Sequence, residues 1–283
     1  MAVDHFLDRP QDHLPRRTRA AVVIAVDGSR GSLSAVEWAA CEAASLRRPL
    51  RLVNVIGWPY NGAGADVDDA RTLSAEVLAE AAARARSSTD GPLDVDTESV
   101  EGPLGPVLAE ISRYAHTLVL GHRDDTGFAG MVLSSHSVAV ATHASGPVVV
   151  VPEAPPLAWS STRPRVVVGV DGGPACIPAL RYAFEHASRH GLCLEAVIAE
   201  PAEPDGRRDV VAAVREVSAA VPTVSWRERH VTSSPVEALT AAAATDAALL
   251  VVGCRSRSDR SSPLLDSVSR GAIFLARCPV AVV

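Results

Sequence analysis

The chain carries the same pattern of residues twice, and this repeat restricts its fold more than any other feature. Residues 21–31 are a valine-rich run followed by Asp-Gly, and the same pattern returns at 165–175. The segment Leu-Val-Leu-Gly at 118–121 returns as Leu-Val-Val-Gly at 250–253. Solenoid repeats have periods of about 20–50 residues, so a repeat of this much greater length indicates a duplicated domain.

The landmarks keep their order in both copies but not their spacing. Asp27 and Asp171 are 144 residues apart, whereas Gly121 and Gly253 are 132 residues apart. The second copy is therefore shorter in its middle by 12 residues. Every candidate site in one copy has a counterpart to compare in the other.

Composition and the limits of the repeat divide the chain into four segments. The first segment is polar and contains proline and arginine, and the segment between the copies contains four prolines. A proline-rich connection of this kind is short and stiff. We predict a flexible N-terminal arm at 1–19, a first domain at 20–151, a linker at 152–164 and a second domain at 165–283.

Each copy alternates short apolar strands with helical patterns. Residues 21–26 and 50–56 are β-branched runs without polar alternation, which is typical of parallel strands covered on both faces. Residues 32–46, between them, place apolar side chains at helical spacing. Right-handed crossovers then wind the helices onto both faces of the sheet. The predicted fold class is α/β, with two tandem doubly wound five-stranded parallel sheets of Rossmann-like type.

Composition disfavours several classes of function. The net charge is −6 without a basic block, so we expect no nucleic-acid partner. No apolar run reaches the roughly 18 residues of a membrane span, and residues 1–20 lack the apolar core of a signal peptide. We therefore expect a cytoplasmic protein without a membrane partner. The five cysteines are scattered without a Cys-x-x-Cys pair, which indicates neither a zinc ribbon nor a disulfide framework.

The loops where a ligand could bind are fixed by the fold class. In open parallel sheets, ligands bind outside the carboxyl ends of the strands, where the strand order reverses. Asp27 and Asp171 lie in the first such loop of each copy. Either carboxylate could accept a hydrogen bond from a sugar hydroxyl or an amine, or could cap the helix that follows. Their position in the sequence favours neither role.

The second loop of each copy runs from 121 to 137 and from 253 to 269. Each begins with glycine, which allows close approach of a ligand to the backbone, and has an arginine two residues later. Each ends in hydroxyl side chains near the start of a helix. Backbone N–H groups, the helix dipole and hydroxyls together indicate a phosphate site.

At these residues the chain resembles the universal stress protein family in its tandem form. The shared features are the Asp-Gly turns at 27–28 and 171–172, the Val-x-Gly-x-Arg segments at 119–123 and 251–255, and the closing Pro-Val strands. The resemblance covers about 21–151 and 165–283. It implies an adenine nucleotide alpha hydrolase-like version of the fold, and a nucleotide-binding branch of the family suggests ATP as the ligand.

That branch holds ATP phosphates with a signature of Gly, two residues, Gly, nine residues, Gly and a hydroxyl residue. Both copies keep its spacing and its first glycine, but both have lost the second and third glycines. The signature positions are Gly121, Asp124, Ser134 and Ser135 in the first copy and Gly253, Ser256, Asp266 and Ser267 in the second.

The resemblance also assigns expected roles to individual residues. Asp27 and Asp171 would hold the ribose or adenine, and Val55 and Val197 would contact the base. The expected phosphate-binding residues are Gly121, Arg123, Ser135 and Ser137 in the first copy and Gly253, Arg255, Ser267 and Ser269 in the second.

The lost glycines have a physical consequence for phosphate binding. Asp124 and Asp266 each place a carboxylate where a polyanion would lie. A like charge at about 4 Å costs ~4 kcal/mol at an effective dielectric constant of about 20. That corresponds to about three decades of affinity. Arg123 and Arg255 oppose this repulsion or pair with the carboxylates themselves.

Three functions remain open at this point. The first is a stress-response protein that binds ATP or another adenine nucleotide in one or both halves. The second is a stress protein of the same fold that acts through partner binding or as a scaffold. The third is an enzyme, which we do not expect because the loops offer no convincing general base. His136 and His143 share a helix face, but no further ligand completes a metal site, so we predict no metal.

The closing strands, 148–151 and 280–283, are apolar and could pair with each other or across subunits. In the family that the chain resembles, single-domain members look like dimers whose subunits pair through this closing strand. We therefore expect the two domains to form an intramolecular pseudo-dimer. Whether the whole chain forms a further homodimer is left open.

Overall fold

The computed structural model describes residues 20–57, 67–122, 137–153, 163–172, 176–199, 204–254, 265 and 267–283. The predicted arm at 1–19 and most of the linker at 152–164 lie outside these ranges.

The first half alternates strands and helices in the predicted order. It contains β1 (Val22–Ala25), α1 (Arg30–Leu46), β2 (Leu50–Ile56), α2 (Val67–Ser87), β3 (Val95–Glu101), α3 (Leu104–Ser112), β4 (Thr117–Gly121), α4 (described over 137–143) and β5 (Val148–Val151).

The second half repeats the order of the first. It contains β6 (Arg165–Val170), α5 (Cys176–His190), β7 (Cys193–Ala199), α6 (Pro204–Ala219), β8 (Trp226–Val231), α7 (Pro235–Ala243), β9 (Ala247–Val252), α8 (Ser267–Leu275) and β10 (Val280–Val282).

The two halves share a single sheet. Its ten strands lie in the order β3-β2-β1-β4-β5-β10-β9-β6-β7-β8. Every pair of neighbours within a half is parallel, and the two halves join through the antiparallel pair of β5 and β10. The predicted α/β class with two five-stranded parallel sheets is confirmed. The expected pairing of the closing strands also occurs, and it fuses the two sheets into one.

A local two-fold axis relates the halves at this junction. Val149 lies opposite Ala281, and these two residues occupy the same position in the two copies. On either side of this pair, Val148 faces Val282 and Val150 faces Val280. The first copy therefore packs against the second as one subunit of a symmetric dimer packs against another.

Helices cover both faces of the sheet, so the core has two layers. One contains α1, α2, α5 and α6, and the other contains α3, α4, α7 and α8. Alanines at helical spacing let α1 approach the sheet closely, and Ala35, Ala39 and Ala43 are fully buried. The outermost strands, β3 and β8, are more exposed than the central strands, which explains their polar sequences. Among the described residues, no helix has the length and apolar character needed to cross a membrane.

Candidate functional site

The strand order reverses between β1 and β4 in the first half and between β6 and β9 in the second. Ala25 pairs with Leu120, so the carboxyl ends of β1 and β4 lie side by side. Val168 pairs with Val251 in the same way. The loops that carry Asp27 and Gly121 therefore meet at one edge of the sheet, as the sequence predicts.

Asp27 sits in a tight turn between β1 and α1. Gly28 has a φ of 78°, and its counterpart Gly172 has the same value, so the two Asp-Gly turns share a left-handed backbone. The Asp27 Oδ1 atom accepts a hydrogen bond of 3.0 Å from the backbone N–H of Ser29. Ser29 is itself the N-cap of α1, since its hydroxyl accepts a 3.2 Å hydrogen bond from the Ser32 N–H. Ser29 therefore caps α1, and Asp27 is exposed in the turn after β1.

Gly121 is required for a reason that differs from the expected one. A Cβ atom at this position would lie 2.6 Å from the backbone carbon of Gly31 and 2.7 Å from the backbone nitrogen of Ser32. The end of β4 therefore packs directly on the first turn of α1. Internal packing accounts for this glycine without any contact to a ligand.

The strand register revises one of the expected pairs of residues. Ala25 pairs with Val53 and Gly169 pairs with Val197, so Val197 is the counterpart of Val53 and not of Val55. Val197 is only 2% exposed and packs in the core, whereas Val55 is half-buried at the strand end. The residue that corresponds to Val55 is Ala199. The likeness between the segments around Val55 and Val197 is misleading because it is displaced by two residues.

The hydroxyl of Ser269 already has a structural partner. It donates a 2.9 Å hydrogen bond to the carbonyl oxygen of Gly253, which ties the start of α8 to the end of β9. A serine hydroxyl has one proton to donate, so this arrangement leaves none for a phosphate oxygen. Ser137, its counterpart in the first half, is also buried, and Ser267 is exposed at the start of α8.

The remaining expected phosphate ligands lie outside the described residues. They are Arg123, Ser135 and Arg255, together with the signature positions Asp124, Ser134, Ser256 and Asp266.

The second half places Asp171 near the first turn of α5. Asp171 is exposed, and it follows β6 as Asp27 follows β1. Burial raises the pKa of the Cys176 thiol, and the negative charge of Asp171 raises it further. Cys176 occupies the position of Ser32 in the first half, so the same turn contacts a thiol in one copy and a hydroxyl in the other.

The structure also brings together a cluster that the sequence analysis missed, between α1 of the first half and α5 of the second. The carboxylate of Glu42 is only 1% exposed. Its Oε1 accepts a 2.7 Å hydrogen bond from Arg189. Its Oε2 lies 2.9 Å from His190 Nε2 and 3.2 Å from His186 Nδ1.

The protonation of this cluster follows from its surroundings. Burial alone would raise the pKa of Glu42, but the close contacts of its carboxylate with His186 and His190 and the charge of Arg189 hold it well below its usual range. Burial lowers the pKa of His186, despite the neighbouring Glu42 carboxylate. These surroundings therefore favour the ionised form of Glu42 and the uncharged form of His186.

A sequence signal for the cluster does exist. His186 and His190 are four residues apart on α5, so they share a helix face. The histidines that the sequence suggests as possible metal ligands, His136 and His143, are different ones. His136 lies outside the described residues, and His143 is exposed with its Nδ1 2.8 Å from the Ala139 carbonyl oxygen.

Comparison with known proteins identifies the family. The family model described as "Universal stress protein family" matches residues 19–152 and 162–283. A universal stress protein of Mycobacterium tuberculosis is 32% identical over 309 residues, covering 94% of this chain and 96% of the relative. Another, from Mycolicibacterium smegmatis, is 31% identical over 288 residues and covers 94% of this chain and 97% of the relative.

A solved structure confirms the fold. A universal stress protein from Archaeoglobus fulgidus superposes with a TM-score of 0.74 at 18% identity, covering 94% of this chain and 96% of that chain. Two matched segments in one chain, full-length relatives and the joined pair of five-stranded sheets lead to one conclusion. The chain belongs to the universal stress protein family, with two of its domains in tandem.

Proposed function

We propose that this chain is a stress-response protein that binds an adenine nucleotide in its first half, at the carboxyl ends of β1 and β4. One observation carries the proposal: the exposed Asp27 carboxylate lies where the strand order reverses, and the half-buried Val55 lies near the end of the neighbouring strand β2. Ligands of open parallel sheets bind at this point of the fold.

The two side chains suit the two parts of adenosine. β1 and β2 are paired up to Ala25 and Val53, and Asp27 and Val55 each follow two residues later. The Asn54 side chain donates a 2.7 Å hydrogen bond to the Val26 carbonyl oxygen and holds the two strand ends together. A carboxylate accepts hydrogen bonds from ribose hydroxyls or the adenine amine, and valine offers an apolar surface to the base. Each hydrogen bond to a charged group contributes roughly 1.5–3 kcal/mol.

The first half is favoured over the second by two differences. The counterpart of Val55 is Ala199, so the sequence of the second half has the smaller residue alanine where the first half has valine. The Ser269 hydroxyl is already bonded to Gly253, so it is not available as a phosphate donor. We propose binding and regulation as the role of the site, without turnover of the nucleotide.

Calorimetric titration of the full chain tests this proposal with ATP, ADP and adenosine. Asp27→Ala is expected to weaken binding of all three by about 10- to 100-fold, because each forms its adenosine contacts there. The matched variant Asp171→Ala is expected to leave these affinities unchanged.

Other results would contradict the proposal. Equal losses in both variants would remove the preference for the first half. If the unaltered chain binds none of the three and releases no nucleotide on denaturation, the alternative role in partner binding or scaffolding is supported instead.

A further inference from the structure

We propose that Glu42, His186 and His190 form a binding site for a divalent transition-metal ion, with Zn²⁺ the best suited, between the two halves of the chain. One ligand atom of each residue lies within 4.8 Å of the other two. Two imidazoles and one carboxylate are a donor set that zinc proteins use. The proposal is independent of the nucleotide site, which lies at the carboxyl ends of the strands.

The distances leave little rearrangement for an ion to make. In tetrahedral zinc geometry with bonds of about 2.0–2.1 Å, neighbouring ligand atoms are about 3.3 Å apart. The Glu42 Oε2 atom lies 2.9 Å from His190 Nε2 and 3.2 Å from His186 Nδ1. Outward shifts of a few tenths of an ångström would bring both contacts to the zinc spacing, and the two histidine ligand atoms lie within 4.8 Å of each other.

A second, independent observation points to a ligand at this position. His186 is almost fully buried, yet its Nδ1 forms no hydrogen bond of acceptable geometry within the described part of the chain. Its distance to Oε2 is short, but the two atoms are out of line. Buried polar atoms are nearly always partnered, so this nitrogen needs an explanation. A metal ion between Nδ1 and Oε2 would provide it.

The surroundings hold the ligands in place. The ring plane of Trp38 lies within 6° of the His186 plane at a centroid distance of 6.2 Å. The Tyr182 ring on α5 lies 6.5 Å from the His186 ring between centroids, with 12° between the ring planes. Arg189 holds Oε1 of Glu42, which leaves Oε2 facing both histidines. Contacts of this kind orient the side chains that would bind an ion.

The site is also accessible from one side. Glu42 and His186 are buried, but His190 is 28% exposed. An ion could enter past His190, and a water molecule could complete its fourth position there.

The position of the site relates to the duplication. Glu42 and His186 are separated by the same 144 residues as Asp27 and Asp171, so they are counterparts that meet near the local two-fold axis. In a symmetric dimer, this position would bring two identical side chains together. Duplication within one chain allowed the two to differ and form a mixed ligand set. A bound ion would link α1 of the first half to α5 of the second.

Arg189 opposes the ion, since its positive charge lies against the same carboxylate. We therefore expect Arg189→Gln to bind zinc more tightly than the unaltered chain. If the cluster held no ion, this substitution would have no effect on zinc binding.

The test is a zinc titration of the full chain after removal of metals with a chelator. We expect one Zn²⁺ per chain, together with the visible absorption of tetrahedral Co²⁺ when cobalt replaces zinc. His190→Ala is the first variant because its side chain is partly exposed and its loss leaves the core intact. It should lower zinc affinity by about 100-fold or more, beyond the 10- to 100-fold typical of outer-shell changes. Glu42→Gln should abolish the cobalt spectrum.

His143→Ala is the matched control, because His143 is an exposed helical histidine elsewhere in the chain. It should leave zinc binding and the cobalt spectrum unchanged. Absence of stoichiometric binding in the unaltered chain would overturn the proposal. Equal losses in His190→Ala and His143→Ala would also overturn it, because they would show that zinc binds surface histidines without selection.

Discussion

The outer parts of the two halves bury charges of opposite sign at the same position. In the first half, Arg51 is 4% exposed on β2, with Asp96 at 2.7 Å and Glu98 at 3.0 Å on the neighbouring β3. In the second half, its counterpart 144 residues later is Glu195, which is 2% exposed.

The partners of Glu195 are inverted in the same way. Arg227 and Arg229 replace the two acids on the edge strand, and Arg165 adds a third guanidinium at 2.8 Å. The comparison shows that the fold requires a paired charge at this position but accepts either sign. A buried charge is costly when a partner is missing, and its sign matters only relative to its neighbours.

The inversion also limits which strands can pair. If β3 paired with β7, the acids Asp96 and Glu98 would face Glu195, and like charges that face each other across strands are destabilising. Each edge strand therefore fits only its own half. The two copies retain the same fold while their strands cannot be exchanged.

The largest expected effect is from reversing the buried charge on β2. Arg51→Glu places a third acid against Asp96 and Glu98 and should lower the free energy of unfolding by about 3–5 kcal/mol. Urea denaturation of the full chain measures it. Adding Asp96→Arg and Glu98→Arg to this variant copies the arrangement of the second half and should recover more than half of the loss.

A matched control separates this effect from simple loss of an ion pair. Arg71 on α2 forms an exposed ion pair of 2.7 Å with Glu101, which lies on β3 like Asp96 and Glu98. Arg71→Glu should lower the free energy of unfolding by no more than ~1 kcal/mol. If the triple variant is no more stable than Arg51→Glu, the two clusters are not equivalent and the comparison fails.

The next largest effect concerns the packing of β4 on α1. Gly121→Ala should destabilise the chain by about 1–3 kcal/mol, because the new methyl group overlaps the backbone of Gly31. Gly57→Ala is the control, since within the described part of the chain no atom beyond its sequence neighbours lies within 4 Å of a Cβ at that position. Equal unfolding midpoints for the two variants would show that Gly121 is not held in place by packing.

A smaller effect is expected in the phosphate loop of the first half. Replacing Asp124 and Ser134 together by glycine should tighten ATP binding by about 10-fold or more, because a repelling carboxylate and a crowding side chain are removed. Adenosine, which lacks phosphates, should bind with unchanged affinity in the same calorimetric titration. A gain for both ligands, or for neither, would show that charge and crowding near the phosphates are not the obstacle.

The smallest effect concerns the hydroxyl of Ser269, at the end of the loop that runs from 253 to 269. Ser269→Ala removes the hydrogen bond to the Gly253 carbonyl oxygen and should cost about 0.5–1.5 kcal/mol of stability, with no change in ATP affinity. Ser87→Ala removes an exposed hydroxyl from a helix surface and serves as the control in denaturation. Reduced ATP binding by Ser269→Ala would restore this serine as a phosphate ligand.

The sequence predicts the order of the elements well because the signals for them are local. The valine-rich run before Asp27 and the alanine spacing of α1 each specify an element without reference to the rest of the chain. Helix ends are specified less sharply, and α1 begins at Arg30 although the apolar spacing indicates 32. The meeting of the loops after β1 and β4 follows from the fold class alone.

The parts that were missed depend on register or on contacts between the halves. Val197 was paired with Val55 by local likeness, whereas the strand pairing matches it with Val53. Glu42 and His190 belong to different halves and meet only because β5 and β10 join the sheets. Gly121 packs on the backbone of α1, which residues close to it in the sequence do not indicate. None of these contacts can be obtained from residues close in sequence.

The most direct test of nucleotide binding in the first half is a crystal structure of the full chain grown with saturating ATP. We expect a nucleotide bound in the first half, with its ribose or adenine on Asp27 and its base against Val55. A nucleotide seated only at the Asp171 turn, or one that leaves Asp27 untouched, would contradict it.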